Sequence, residues 1–405
     1  MAESLDALIR QGEGTQDAVD LGDGVFMSRG IANTYLVTGD GGDLLINTGL
    51  DFEVPAIKAR FGRVSPRPLR AIVFTQGHPD HVGGWSQFDA PGVETIAQAN
   101  HSDVREYWRR LHPFYVRRIL KLWGRFTSDI DTSTLPPEPV LTTSFIDSHT
   151  MQLGDRRIEL YSTPGGETTD ALALWLSEER IVFIGNLLGP MFGHVPNLYT
   201  IRGDKIRSAI TFIHSVERII ALEPQTLVNG HDVFRGPEIL ETLTKIRDAT
   251  VLLRDRTIDA MNDGADLWTV MDRVSLPSEL ALPQLHGKVP WIVRAIWEEH
   301  TGWFRYESTT ELYDVPPAAI WPDLVELAGG NDALTERARD HVEAKRPLHA
   351  LHFIDIVLRH TPANAAARAL KRAALEQLLE ISRRENFSEV QWLESEILDT
   401  DASLG

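Results

Sequence analysis

Ten residues, Thr75-Gln76-Gly77-His78-Pro79-Asp80-His81-Val82-Gly83-Gly84, constrain this chain more than any other stretch. They come after a mostly apolar run, Leu69 to Phe74, which reads as a buried strand. Three potential metal ligands, His78, Asp80 and His81, arrive together as the strand ends. Imidazole nitrogens and carboxylate oxygens are what zinc takes in a catalytic site. A loop at a strand end aims neighbouring side chains at one point, and Gly83-Gly84 lets the next helix start close by. A lone histidine would read as structural. This spacing points to a metal centre, with a hydrogen-bonded structural cluster as the alternative.

Composition narrows the classes. The 405 residues suffice for two domains and a sizeable core. There is no cysteine, so disulfides and thiolate metal sites are excluded. A net charge of −18 argues against nucleic acid as a partner. A small anionic substrate stays compatible with that charge, because a metal and one arginine reverse the local field. No run of about 18 apolar residues could span a bilayer, and Met1 to Gln16 shows no apolar signal core. A cytoplasmic location is therefore expected.

Along the chain, residues 1–20 read as a loose leader. Thr34–Thr38 and Asp43–Asn47 read as strands joined by a glycine-rich turn. A short helix is expected over Ala56–Phe61 and a strand over Val93–Ala97. His101 to Arg125 is basic and aromatic. It reads either as an amphipathic helix pair with a solvated basic face or as a lid over an anionic, partly apolar substrate. Met151–Ser162 and Ala171–Asn186 alternate like strands, a helix comes next from about Lys205 to Leu222, and the strand Thr226–Val228 ends in Asn229-Gly230-His231. Repeated strands with helices between them predict a four-layer αββα sandwich over residues 1–236. From Pro237 the pattern is helical, at Ile239–Asn262 and Ala333–Ser382, which predicts a second, all-α domain over residues 237–400. Leu393 to Gly405 is acidic and expected to fray.

The Thr75–Gly84 stretch resembles the H-x-H-x-D-H signature of the metallo-β-lactamase superfamily, with Gln76 in place of the first histidine. Further motifs are similar to one branch, the zinc-dependent alkyl sulfatases: Asn197-Leu198-Tyr199-Thr200-Ile201-Arg202-Gly203, Thr163-Pro164-Gly165 to Asp170, His300-Thr301-Gly302-Trp303-Phe304 and Leu327-Ala328-Gly329-Gly330. The resemblance covers residues 25 to 380 and makes the second domain a dimerisation domain, so a homodimer is expected. It also implies a first metal site at Gln76, His78 and Asp170, and a second at Asp80, His81 and His231. Where the family has a glutamate bridging two metals, Gly185 stands. Where an aspartate commonly supports the ligands, Asn47 stands.

These departures make one zinc on Asp80, His81 and His231 the expected centre, with two metals as the alternative. His78, Asp80 and Asp170 are the expected catalytic groups. His78 and Asp170 would serve as base, substrate contacts or weak second-metal ligands, and His194 and Glu167 are outside candidates for ligation. Asn197, Tyr199 and Arg202 fall where the family holds sulfate, and an arginine fork suits a tetrahedral oxyanion. The implied activity is metal-dependent hydrolysis of a small, sulfate-ester-like anion by water activated at the metal. The alternatives are another hydrolysis at the same centre, such as dehalogenation or lactone opening, and a non-catalytic dimeric module.

Overall fold

Alternation along the strands sets the layers. In the strand Gly42–Ile46, Leu44 and Ile46 join one buried cluster while Leu45 joins another. In the strand Leu172–Leu176, Leu172, Leu174 and Leu176 likewise face away from Ala173 and Trp175. Successive side chains of a strand point to opposite faces, so each sheet buries both sides. The computed structural model describes residues 7, 10–127 and 135–402, and the statements below concern those residues.

One sheet runs in chain order through β1 (Val19–Gly22), β2 (Val25–Ser28), β3 (Thr34–Gly39), β4 (Gly42–Ile46), β5 (Leu69–Val73), β6 (Glu94–Gln98) and β7 (Thr143–Phe145). It is antiparallel up to β4 and parallel from β4 to β7. The other sheet contains β8 (Ser148–Leu153), β9 (Arg156–Ser162), β10 (Leu172–Leu176), β11 (Ile181–Phe183), β12 (Thr226–Val228) and β13 (Val233–Arg235). Only its β11–β12 pair is parallel.

The inward faces meet in one cluster containing Leu44, Ile46, Val73, Leu174, Phe183 and Val228. Burying each such side chain contributes about 1.5–3 kcal/mol. Ile57 and Phe61 of the helix Val54–Gly62 cover the outer face of the first sheet. Phe212 and Val216 of the helix Ala209–Ala221, with Leu243 and Ile246 of the helix Glu238–Asn262, cover the second. The expected αββα sandwich is thus the fold.

The chain separates into two compact units: residues 1–118 with 126–300, and residues 119–125 with 301–405. Residue 236 marks the end of the strands, since β13 finishes at Arg235. The helices Glu238–Asn262 and Leu267–Arg273 still belong to the first unit. The second unit is helical as expected. Its Ala333–Ser382 stretch resolves into three helices, Asn331–Glu343, Pro347–His360 and Ala365–Ile381. Pro347 sits at a helix start, where its missing N–H costs nothing, and Asn364 caps the third by accepting from the Ala367 N–H at 2.9 Å. Ala338, Ala350 and Ala374 let these helices approach closely.

Two expectations at the chain ends need correction. Part of the expected leader, residues 1–6, 8 and 9, lies outside the described residues. From residue 10 the chain is tied down: Arg60 donates to the Thr15 carbonyl at 2.9 Å, and β1 begins at Val19. Residues 387–402 form a helix with Leu393 buried, where fraying was expected from Leu393. Residues 403–405 lie outside the described residues.

Candidate metal centre

Parallel strands end at a common edge, and the loops beyond that edge build the site. Ile46 of β4 is paired with Val73 of β5, and Val73 with Ile96 of β6. Phe183 of β11 is paired with Val228 of β12. The segments Asn47–Gly49, Phe74–His78, Ile184–Asn186 and Asn229–His231 therefore emerge together. They are strapped in place. Thr48 donates its N–H to the His81 carbonyl at 2.8 Å, Gly230 to the Gly185 carbonyl at 2.8 Å, and Asn33 to the Gly230 carbonyl at 2.7 Å.

Asp80, His81 and His231 are brought together. One ligand atom from each lies within 4.8 Å of the others, and they form the one such His/carboxylate group among the described residues. The His231 Nδ1–H donates to the Ile31 carbonyl at 2.7 Å, which turns Nε2 into the ring nitrogen available as a ligand. Thr75 donates its hydroxyl to Asn47 Oδ1 at 3.0 Å and lies 3.2 Å from His81 Nδ1. That arrangement makes His81 Nδ1 the donor. His81 Nε2 is buried without a hydrogen-bond partner, 3.6 Å from Asp80 Oδ2. Burial pushes the His81 imidazole down to about 4, so it is neutral at pH 7. A buried, neutral, partnerless imidazole nitrogen beside a carboxylate and a second imidazole fits a divalent metal ion. Asn47 acts through Thr75, as a ligand-orienting group does.

His78 and Asp170 sit in separate networks. His78 Nδ1 is 3.2 Å from Glu167 Oε2 and its Nε2 is 3.5 Å from Asp204 Oδ2. Burial pushes this imidazole down, but the hydrogen bonds to Asp204 and Glu167 outweigh it and hold it above its ordinary value. Burial likewise raises both carboxyls, and His78 with the nearby arginines outweighs it. Asp204 falls to about 2 and Glu167 lies well below the usual carboxylate range. Asp170 Oδ2 is 2.7 Å from His101 Nδ1. That pairing, against the effect of burial, also keeps Asp170 below its ordinary value.

Gln76 is fully buried and links the pieces. Its amide nitrogen lies 3.0 Å from His78 Nδ1 and 3.2 Å from Glu167 Oε2, and its carbonyl accepts the Asn186 N–H at 3.1 Å. Asn186 Nδ2 in turn reaches Glu167 Oε2 at 3.0 Å and His231 Nε2 at 3.2 Å. Gly185 has φ 52°, and a Cβ there would lie 2.7 Å from Thr75 Oγ1. Gln76 thus occupies the Nδ1 side of His78, while Asp170 Oδ1 and Asp204 Oδ2 are buried without a hydrogen-bond partner.

Of the proposed anion holders, Arg202 reaches His78, with Nη2 3.5 Å from His78 Nε2 and 3.6 Å from Asp204 Oδ2. Its guanidinium stacks on Trp108 at 5.4 Å. Asn197 donates its amide towards His286 Nε2 at 3.1 Å. The Tyr199 hydroxyl hydrogen-bonds Glu298. His194 is outside the metal-ligand group. Glu167, Asp204, His101, Arg207 and His286 shape the site. Sequence reading raised only Glu167 as a candidate. Asp204 and Arg207 follow directly on the Asn197–Gly203 block, but nothing in spacing alone shows that both are buried.

A sandwich of this topology, with histidine and aspartate ligands beyond the ends of its parallel strands, is the architecture of a metal-binding hydrolase scaffold. Residues 27–231 match the metallo-beta-lactamase superfamily, and the chain belongs to it. Residues 269–391 match the alkyl sulfatase dimerisation family. A linear primary-alkylsulfatase of Pseudomonas sp. (strain ATCC 19151) is 26% identical over 74% of this chain and 61% of its own. An alkyl/aryl-sulfatase of Saccharomyces cerevisiae is 23% identical over 88% of this chain and 60% of its own. The chain thus spans about three fifths of the length of these curated relatives. The solved structure of a stereoselective inverting sec-alkylsulfatase from Pseudomonas sp. superposes with a TM-score of 0.81, at 21% identity, over 98% of this chain and 67% of that one. That likeness is one of fold. Both the superfamily and the alkyl sulfatase branch read from the motifs are met.

Proposed function

We propose that this chain is a metal-dependent hydrolase of organic sulfate esters that works with a single zinc ion. The observation that carries the reading is the convergence of Asp80, His81 and His231 with a buried, partnerless His81 Nε2. Asp80, His81 and His231 would hold a zinc ion, which would supply Lewis-acid activation of water for the hydrolysis. Arg202 and Asn197 hold the sulfate group, and Arg202 brings a guanidinium to the His78 side of the centre. His78, poised between Glu167 and Asp204, holds a proton beside the reacting group. Asp170 acts at one remove by fixing His101. The helices of residues 301–402 supply the homodimer contact, supported by the match to the dimerisation family.

Metal content by plasma mass spectrometry tests the centre. About one zinc per chain is expected in the wild type and none in His231→Ala. Sulfate release from short alkyl sulfates, lost in the same variant, tests the chemistry. Two metals per chain would return the binuclear arrangement. A metal-loaded protein that releases no sulfate from any organic sulfate would overturn the sulfatase reading and leave another hydrolysis at this centre.

A further inference from the structure

We propose that the cavity under the helices His101–Arg110 and His112–Thr127 binds the ring-bearing organic part of an anionic substrate, and that Arg207 selects for its negative charge. The inference rests on the hydrolase reading for the reaction, but not for the binding. The cavity measures about 530 Å³, within the range of small-molecule sites. Tyr107, Trp108, Phe114 and Tyr115 line one wall, and the segments Pro164–Thr169 and Gly203–Thr211 contribute to the other.

The rings are arranged as a ladder leading away from the centre. His78 and Trp108 meet edge to face at 5.4 Å, Trp108 and Tyr115 lie 4.6 Å apart, and Tyr115 and Phe114 meet edge to face at 5.5 Å. Phe114 is 41% exposed and Tyr107 51%. Aromatic rings at these spacings and tilts attract further rings through their quadrupoles. An aromatic group in the cavity extends the ladder, whereas a linear chain would gain only the loss of water.

Charge enters through Arg207. It is buried, at 6% exposure, and lines the cavity. Its Nε donates to the Glu167 carbonyl at 3.1 Å and its Nη1 to the Asn197 carbonyl, while the buried Nη2 has no partner. Arg202 Nε is also buried without a partner. A buried guanidinium N–H left unpaired is costly. Glu167 and Asp204 offer Arg207 opposite charge, but neither gives its Nη2 a hydrogen bond. Glu167 is engaged by Gln76, His78 and Asn186, and Asp204 lies against His78 and Arg202. Arg207 is thus fixed by backbone carbonyls with a donor left for a ligand oxyanion, the partner for which guanidinium geometry is suited.

The test is calorimetric binding to the metal-loaded full chain, using 3-phenylpropane-1-sulfonate, which has no ester bond to cleave. It is compared with 3-phenylpropan-1-ol, which lacks the charge, and hexane-1-sulfonate, which lacks the ring. The phenyl sulfonate is expected to bind about tenfold or more tightly than either. Arg207→Gln should cut the preference over the alcohol several-fold, Arg202 and Asn197 keeping the remainder, and Phe114→Ala should remove the preference over hexane-1-sulfonate. Phe114 is partly exposed, so its truncation keeps the fold. Should Arg207→Gln fail to fold, Thr211→Trp, which fills the cavity, is expected to abolish binding at an unchanged melting temperature. Equal binding of the alcohol, equal or tighter binding of hexane-1-sulfonate, or undiminished binding in Thr211→Trp would overturn the proposal. Phenyl sulfonate binding without hydrolysis of any sulfate ester would sink the hydrolase reading alone. Sulfate release without a ring preference would sink this inference alone.

Discussion

Gln76 and Gly185 are two of the positions where this chain leaves its family's pattern, and both are explained by their neighbours. Gln76 offers an amide that donates and accepts, and the structure uses both ends to join His78, Glu167 and Asn186. Truncation to alanine would leave buried polar groups unpaired, so Gln76→Ala is expected to cost about 1–3 kcal/mol of stability, measurable by urea unfolding. Gly185 has a left-handed backbone, and a Cβ there would press on Thr75, which orients His81. Gly185→Ala is expected to lower stability by about 1–3 kcal/mol and to weaken metal retention on dialysis against a chelator. A variant as stable and as metal-loaded as the wild type would contradict the account of Thr75. Restoring the family's glutamate at 185 meets the same strain, so a Gln76→His, Gly185→Glu double variant should still hold one metal.

The basic, aromatic helix pair is described by neither of its two sequence readings alone. Several of its charges are engaged: Arg105 pairs with Glu138 at 2.7 Å, Arg110 with Glu106 at 2.7 Å, and Lys121 with Glu396 at 2.8 Å. Arg118 donates to the Ile201 carbonyl at 2.9 Å and to that of Arg202. Its aromatic side, meanwhile, lines the cavity. The pair therefore acts on the segment carrying Arg202, Asp204 and Arg207. Arg118→Ala is expected to speed amide hydrogen exchange across residues 200–207 while leaving exchange in β5 and β12 unchanged. No local change there would mean that the segment is held by other contacts.

Two buried histidines link the stability of the molecule to pH. Burial lowers both His81 and His286 to about 4, against an ordinary value near 6.5. Between those limits the unfolded chain takes up a proton at each and the folded chain does not. Stability of the metal-free protein is therefore expected to fall as pH drops from 6.5 towards 4. His286→Gln should remove one proton's share of that slope, about 1.4 kcal/mol per pH unit at its steepest. An unchanged slope would mean that His286 is already charged in the fold. Assembly is the other property expressed by the chain as a unit. Trp303, Tyr306 and Leu327 of the second unit are 73%, 88% and 84% exposed, an unusual outlay of large apolar surface. Sedimentation is expected to show a dimer, and Leu327→Glu a monomer.

The αββα sandwich, the helical second part and the grouping of Asp80, His81 and His231 could be read from sequence. Period-two hydrophobicity, turn residues and ligand spacing are local patterns, and each states its own structure. The burial of Asp204 and Arg207, the pairing of Asp170 with His101 and the use of Gln76 as a cross-link could not be read. Those facts depend on residues 69 to 124 positions apart in the chain meeting at one edge of two sheets. An isolated segment carries no record of its eventual partners. A buried charge is set by what surrounds it, and only the assembled layers decide which groups those are.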